Sequence, residues 1–228
     1  MPTRSAADVA EVDKASALTI LTMEHNTLQM IRTATITDAT GRAGHLLTTI
    51  SASMIALGFV AQVVPRTVLL TLLLVVFTAL FLIGLATLFR TVELTIEDVQ
   101  AGLGINRIRA VYAELEPSTR DVFVRQLHDD TLGVEADAGQ TGWRNARRPR
   151  LIGTALGVAG LVNLVNGLVA GVIAGAASGL LGTTLTWSIV IAVVVAIAVI
   201  SAFGVALGRI GRRGIAPIST RYPRNNPN

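Results

Sequence analysis

Hydrophobic and polar positions fall into long blocks along this chain instead of alternating. No formal charge lies between Ala43 and Pro65, none between Thr67 and Phe89, and none across the 58 residues from Leu151 to Gly208. Each of the first two blocks, at 23 residues, would make a helix of about 35 Å, enough to cross a hydrocarbon core of about 30 Å with some tilt. The third would reach about 87 Å as one helix, so it must fold back at least once. Glycine and threonine cluster at Gly179-Leu-Leu-Gly182-Thr-Thr184, which marks the turn, and Trp187 beside it suits a membrane interface. The pattern predicts four spans, over about 44–64, 67–89, 151–180 and 186–207. The apolar runs are continuous, which favours helices over the alternating strands of a membrane barrel.

The polar segments carry patterns of their own. Residues 1–12 read as disordered. From Asp13, Leu18, Leu21, Leu28 and Ile31 recur at helical spacing and predict an amphipathic helix. Threonines at 33, 35, 37 and 40 weaken that helix towards Gly41, and Asp38 and Arg42 stand i,i+4, where they can pair. After the second span, Thr95 followed by Glu97 and Asp98 reads as a cap and first turn of a new helix. Its seam runs through Ile96, Val99, Leu103, Ile105, Ile108, Tyr112 and Leu115, weakened by Gly102 and Gly104 at about 1 kcal/mol each. Pro117-Ser118 ends it and opens a short helix with Val122, Phe123 and Leu127; residues 129–142 read as an acidic, glycine-bearing loop.

The expected fold is therefore an all-α membrane protein: four transmembrane helices as two hairpins, plus cytoplasmic amphipathic helices. Its parts are an N-terminal segment over 1–43, a first hairpin over 44–89, a helical loop over 90–150, a glycine-rich second hairpin over 151–208 and a basic tail over 209–228.

Charge sets the orientation. The middle loop carries nine arginines, the tail five, and the N-terminal segment Arg4, Lys14, Arg32 and Arg42, whereas Arg66 is the one basic residue in the two short turns. Basic residues near span ends stay cytoplasmic, so both termini and the middle loop are expected inside, as an even number of spans requires. The polar, acidic start of the chain is unlike a cleavable signal peptide, and the first span would serve as its own targeting signal. Eighteen arginines against a single lysine mark a GC-rich bacterial genome and point to a bacterial inner (plasma) membrane. The net charge of +4 sits around the spans, so orientation and anionic lipid at the inner leaflet account for it better than nucleic acid does. The absence of cysteine removes disulfides, thiolate catalysis and thiolate metal sites.

The most specific signal lies in the third span. Gly167, Gly171, Gly175 and Gly179 form a glycine-every-four ladder, preceded by Gly153, Gly157 and Gly160. Small residues at that spacing let helix backbones approach closely, either within the chain or as a zipper between subunits of a homo-oligomer. Asn163 and Asn166 lie in the same span. They read as interhelical hydrogen-bonding groups, with Thr48, Ser51 and Ser53 as candidate partners, or as the lining of a polar site or pore at a locally unwound helix. No charged residue lies in the spans to support a proton-coupled mechanism, and His45, at the start of the first span, reads as interfacial. Arg144, Arg147, Arg148 and Arg150 precede the third span and are placed either to contact anionic headgroups or to anchor topology. His128-Asp129-Asp130 is a weak metal motif without a second cluster, and reads as a solvated loop. No nucleotide, hydrolase, zinc-protease or kinase signature is present, and no cofactor is expected.

The stretch Arg90-Thr-Val-Glu93, Asp98-Val, and above all Asn106-Arg107-Ile-Arg109-Ala-Val-Tyr112, resembles a group of actinobacterial four-span integral membrane proteins. The resemblance covers most of residues 15–207 and implies the same order of polar helix, hairpin, Asn-Arg-x-Arg-x-x-Tyr helix and second hairpin; it implies no activity, cofactor or partner. The first half is also similar in architecture to two-span pore-forming effectors of bacterial conflict systems. The expected function is a non-enzymatic inner-membrane protein that self-associates through the third span, with its cytoplasmic helices as an interaction surface. The alternative is an oligomeric pore or ion channel lined by the Gly/Asn face of that span. A membrane enzyme ranks below both, because the spans offer no acids, bases or metal ligands.

Overall fold

A computed structural model describes residues 6–130, 133–134, 137, 157–215 and 219–223, with side chains from Lys14 onward. Every regular element among these residues is helical: α1 (Ala6–Val60), α2 (Arg66–Leu115), a 3-10 turn (Pro117–Val122), α3 (Val158–Leu180) and α4 (Leu185–Ile215). Four of them are long and apolar enough to cross a membrane, which makes this a multi-pass membrane protein.

Proline sets the boundaries of the first two helices. None occurs between Pro2 and Pro65 or between Pro65 and Pro117, so nothing removes a backbone donor inside either stretch. The result differs from expectation in several places, and the short helix expected after Pro117 is a 3-10 turn that ends at Val122, before Phe123 and Leu127. Residues 6–12 are helical, not disordered. The threonine-rich stretch before Gly41 does not break α1, because Thr33 and Thr40 bond the carbonyls of Gln29 and Ile36. Thr95 is not a cap either. Its hydroxyl donates to the carbonyl of Thr91 at 2.8 Å, and α2 runs straight through it. Between α3 and α4 the expected turn is present: the helix ends at Leu180 and Gly182 takes φ +86°, a left-handed conformation that glycine adopts without a Cβ clash.

The chain divides into two compact units, and α1 and α2 contribute a segment to each. The apolar unit comprises Ile36–Ile96 and Arg148–Ala216. Its core holds Leu46, Phe77, Leu80, Leu88, Val162 and Val169. Its exposed side chains are apolar too, among them Ile55, Phe59, Leu82, Leu168, Val193 and Ile197. Lipid tails are as apolar as that core, so the helices are held by close packing and by polar contacts between them. Hydroxyls at Thr48, Ser53, Thr71, Thr78 and Thr87 bond carbonyls four residues back in their own helices, the arrangement hydrocarbon demands of a hydroxyl. The expected Asp38–Arg42 pair forms at 2.8 Å, with Arg90 3.9 Å from the same carboxylate.

The polar unit comprises Met1–Thr35, Glu97–Arg147 and Pro217–Asn228. Leu103, Ile105 and Ile108 are buried along the predicted seam. The two glycines that weaken α2 locally leave room for neighbours: a Cβ on Gly104 would lie 2.8 Å from Leu28 Cδ1, and one on Gly102 would lie 3.0 Å from Val134 Cγ1. Arg32 Nε and Nη2 donate to the two oxygens of Asp98 at 2.8 and 3.4 Å, tying α1 to α2 inside this unit.

Candidate functional site

The conspicuous polar groups of the apolar unit are the two asparagines. α3 is continuous through Asn166-Gly167, and both side chains are buried, Asn166 with 1% exposure. Asn163 Nδ2 donates to the carbonyl of Ile200 on α4 at 3.0 Å, using a lone pair the helix leaves free. Asn166 points at α2, where a Cβ on Gly84 would overlap its Oδ1 and lie 2.9 Å from its Cγ. One atom of each amide, Asn163 Oδ1 and Asn166 Nδ2, is buried without a hydrogen-bond partner. The partners on the first span do not materialise: Thr48 and Ser53 spend their hydroxyls on their own helix, and Ser51 is exposed.

The glycine ladder is shared between two neighbours. Gly167, Gly171 and Gly175 face α4, and Gly179 faces Leu70 of α2. The contacts step antiparallel, with Gly167 beside Ala196, Gly171 beside Ala192 and Gly175 beside Ser188. Gly171 is the closest to backbone: a Cβ there would lie 2.6 Å from the Ala192 carbonyl oxygen, a distance real Cβ atoms do not adopt. In this chain, the ladder face is filled from within. A strip of α3 flanking the ladder exposes Leu161, Leu164, Leu168 and Val172. Arg144, Arg147, Arg148 and Arg150 lie outside the described residues, as does Gly153.

A second constellation, in the polar unit, is built on Asn106-Arg107-Ile-Arg109-Ala-Val-Tyr112. Asn106 Nδ2 donates to the His128 carbonyl at 3.1 Å, while its Oδ1 accepts from Arg109 Nη1 at 3.0 Å. Arg109 Nη1 also bonds Asp137 Oδ2 at 2.7 Å, and Asp137 Oδ1 accepts the Gln126 N–H at 2.9 Å. Tyr112 and Thr22 share a hydroxyl contact at 3.2 Å. Arg107 Nε donates to Asp129 Oδ2 at 2.9 Å, and its Nη2 donates to the Ser219 carbonyl.

Asp129 is not part of a solvated loop. It is fully buried, and its oxygens take the Arg221 N–H at 2.9 and 3.1 Å and the Tyr222 N–H at 2.6 Å. Burial alone would raise its pKa. The two backbone donors and the Arg107 guanidinium outweigh that and hold the carboxyl below its ordinary value. Tyr222 OH donates to Glu114 Oε2 at 2.8 Å, which, with some burial, raises the phenol's pKa. Ala110, Glu114, Arg120, Leu127, His128 and Tyr222 line a pocket of about 350 Å³ beside these contacts. Among the described residues no group of His, Asp or Glu is arranged to hold a metal.

The sequence signalled the glycines and asparagines, which stand out in apolar helix. It did not signal Gly84, Asp137 or Tyr222, and it marked Asp129 only within a weak metal motif; the roles of all four depend on partners distant in the chain. Comparison with known proteins yields no match: no family model, curated protein or solved structure is significantly similar to this chain.

Proposed function

We propose that this protein is a non-enzymatic scaffold of a bacterial inner membrane. Its four spans form two hairpins with both termini in the cytoplasm, and the polar unit serves as the cytoplasmic interaction surface. The observation that carries this reading is how the apolar unit is assembled. Its helices expose apolar side chains, pack glycine against backbone, and contain no charge across the stretches 67–89 and 151–208. Such a unit is suited to holding a shape in lipid, and the stretches 67–89 and 151–208 carry no ionisable side chain for proton transfer or hydrolysis. The arginines around the spans support the orientation and contact with anionic lipid at the inner leaflet. Kinship with the actinobacterial four-span group belongs to the same proposal and rests on the Asn106–Tyr112 motif.

Self-association through the third span remains part of the reading, with the face refined. Gly167, Gly171 and Gly175 are engaged by α4, so a second copy would meet Leu161, Leu164, Leu168 and Val172. Native mass spectrometry from lipid nanodiscs tests this: more than one copy is expected, and an exclusively monomeric spectrum contradicts it. The alternative of an oligomeric pore draws on the two unpartnered amide atoms of Asn163 and Asn166. Reconstituted vesicles decide between the two. The scaffold leaves an ion gradient intact, and flux that is lost in Asn166→Leu would favour the pore.

A further inference from the structure

The C-terminal segment Ser219–Pro223 is held in an unusual way. Nearly all its hydrogen bonds to the rest of the unit are made by its backbone: the Ser219 carbonyl accepts from Arg107, the Arg221 and Tyr222 N–H groups donate to Asp129, and the Tyr222 carbonyl accepts from the Asp129 N–H at 3.2 Å. One side chain adds to this, Tyr222 on Glu114. Ser219, Thr220, Arg221 and Pro223 are exposed and Tyr222 is half-buried, so no apolar side chain anchors the segment in a core. On the other side of the contact, Asp129 is fully buried and Arg107 is 36% exposed, fixed by its bond to Asp129. This is how proteins bind extended peptides: main-chain hydrogen bonds supply the affinity and one side-chain contact adds selectivity. Charge-assisted bonds of this kind are about twice as strong as neutral ones, so one carboxylate can hold a segment that buries almost nothing.

We infer that Arg107 and Asp129 form a binding site for extended peptide backbone, and that Ser219–Pro223 is its reversibly bound ligand in cis. Tyr222 and Pro223 also wall the neighbouring pocket, so leaving the site opens it beside Ala110, Leu127 and His128. Within Ser219–Pro223 only Tyr222 is half-buried, so undocking exposes little apolar surface, which separates it from unfolding of the unit. A ligand tethered by a short connection has an effective concentration on the order of millimolar, so a free peptide of the same sequence competes only in that range.

The chain contains no cysteine, so Thr220→Cys carries a single nitroxide label on the otherwise intact protein. At neutral pH its spectrum is expected to be immobilised. A synthetic peptide with the sequence of residues 216–228 should then raise the mobile fraction saturably, to about half at concentrations on the order of 1 mM. Arg221→Pro removes the N–H shared by both Asp129 oxygens and alters only an exposed residue; it should release the label without peptide. Asp129→Asn should do the same. A label mobile in the parent chain, one that stays immobile in Arg221→Pro, or one indifferent to excess peptide overturns the inference.

Discussion

Asn166 occupies the space that Gly84 leaves: the carboxamide of α3 lies where any Cβ on α2 at that position would have to be. A polar side chain with 1% exposure is thus seated against bare backbone, with its Nδ2 unpartnered. Gly84→Ala is expected to destabilise the detergent-solubilised protein by about 1–3 kcal/mol, the usual cost of overpacking. Asn166→Ala in the same chain should recover most of that loss. The four proteins of this double-mutant cycle, compared by thermal unfolding, should give a coupling of about 1–3 kcal/mol. Additive effects would mean that the two residues do not touch.

The glycine ladder should respond unevenly to alanine. At Gly171 the added methyl meets the Ala192 carbonyl at 2.6 Å, so Gly171→Ala should separate α3 from α4 and lower the unfolding midpoint. At Gly175 the nearest atoms stand at 3.2 and 3.3 Å, and the penalty should be small. Gly41 and Gly208 have nothing within 4 Å, and alanine there should stabilise by up to about 1 kcal/mol through helix propensity alone. A uniform response across the four sites, read by thermal unfolding, would contradict this packing.

These contrasts show what the sequence could and could not disclose. Charge-free blocks of helical length announce the spans, because lipid leaves a chain few other solutions. Glycine and asparagine in such blocks are conspicuous, since each costs helix propensity or desolvation. Their partners were hidden. Nothing local distinguishes Gly84, and the Ile200 carbonyl carries no sequence signal. Helix ends were misplaced where local propensity was weighed above continuity: Thr95 resembles a cap, yet with proline only at 65 and 117 the helix continues and the hydroxyl turns back on it. Asp129 reads as solvated loop because its neighbours are polar, while the Arg221 N–H that its carboxylate accepts comes from a segment 92 residues away.

The pH dependence of tail docking follows from the two shifted groups. Asp129 has its pKa lowered in the docked state, so its contribution is complete above the ordinary value of 3.8 and is lost as the pH falls through the lowered one. Tyr222 has its pKa raised from 10.0, so its contribution is complete below that value and is lost as the pH rises through the raised one. The nitroxide at Thr220→Cys should accordingly show a constant mobile fraction from about pH 5 to pH 9. Release centred near neutral pH would assign the docking to some other group.

The central claim, four spans with both ends in the cytoplasm, is tested most directly by single cysteines in this cysteine-free chain and a membrane-impermeant thiol reagent. Gln62→Cys lies in the turn after α1, Thr183→Cys in the turn after α3, Ser118→Cys in the 3-10 segment and Thr220→Cys in the tail. In intact spheroplasts the first two should label at once, and the last two only after permeabilisation. Labelling of Ser118→Cys or Thr220→Cys in intact spheroplasts, or of only one of the two turns, would contradict the account.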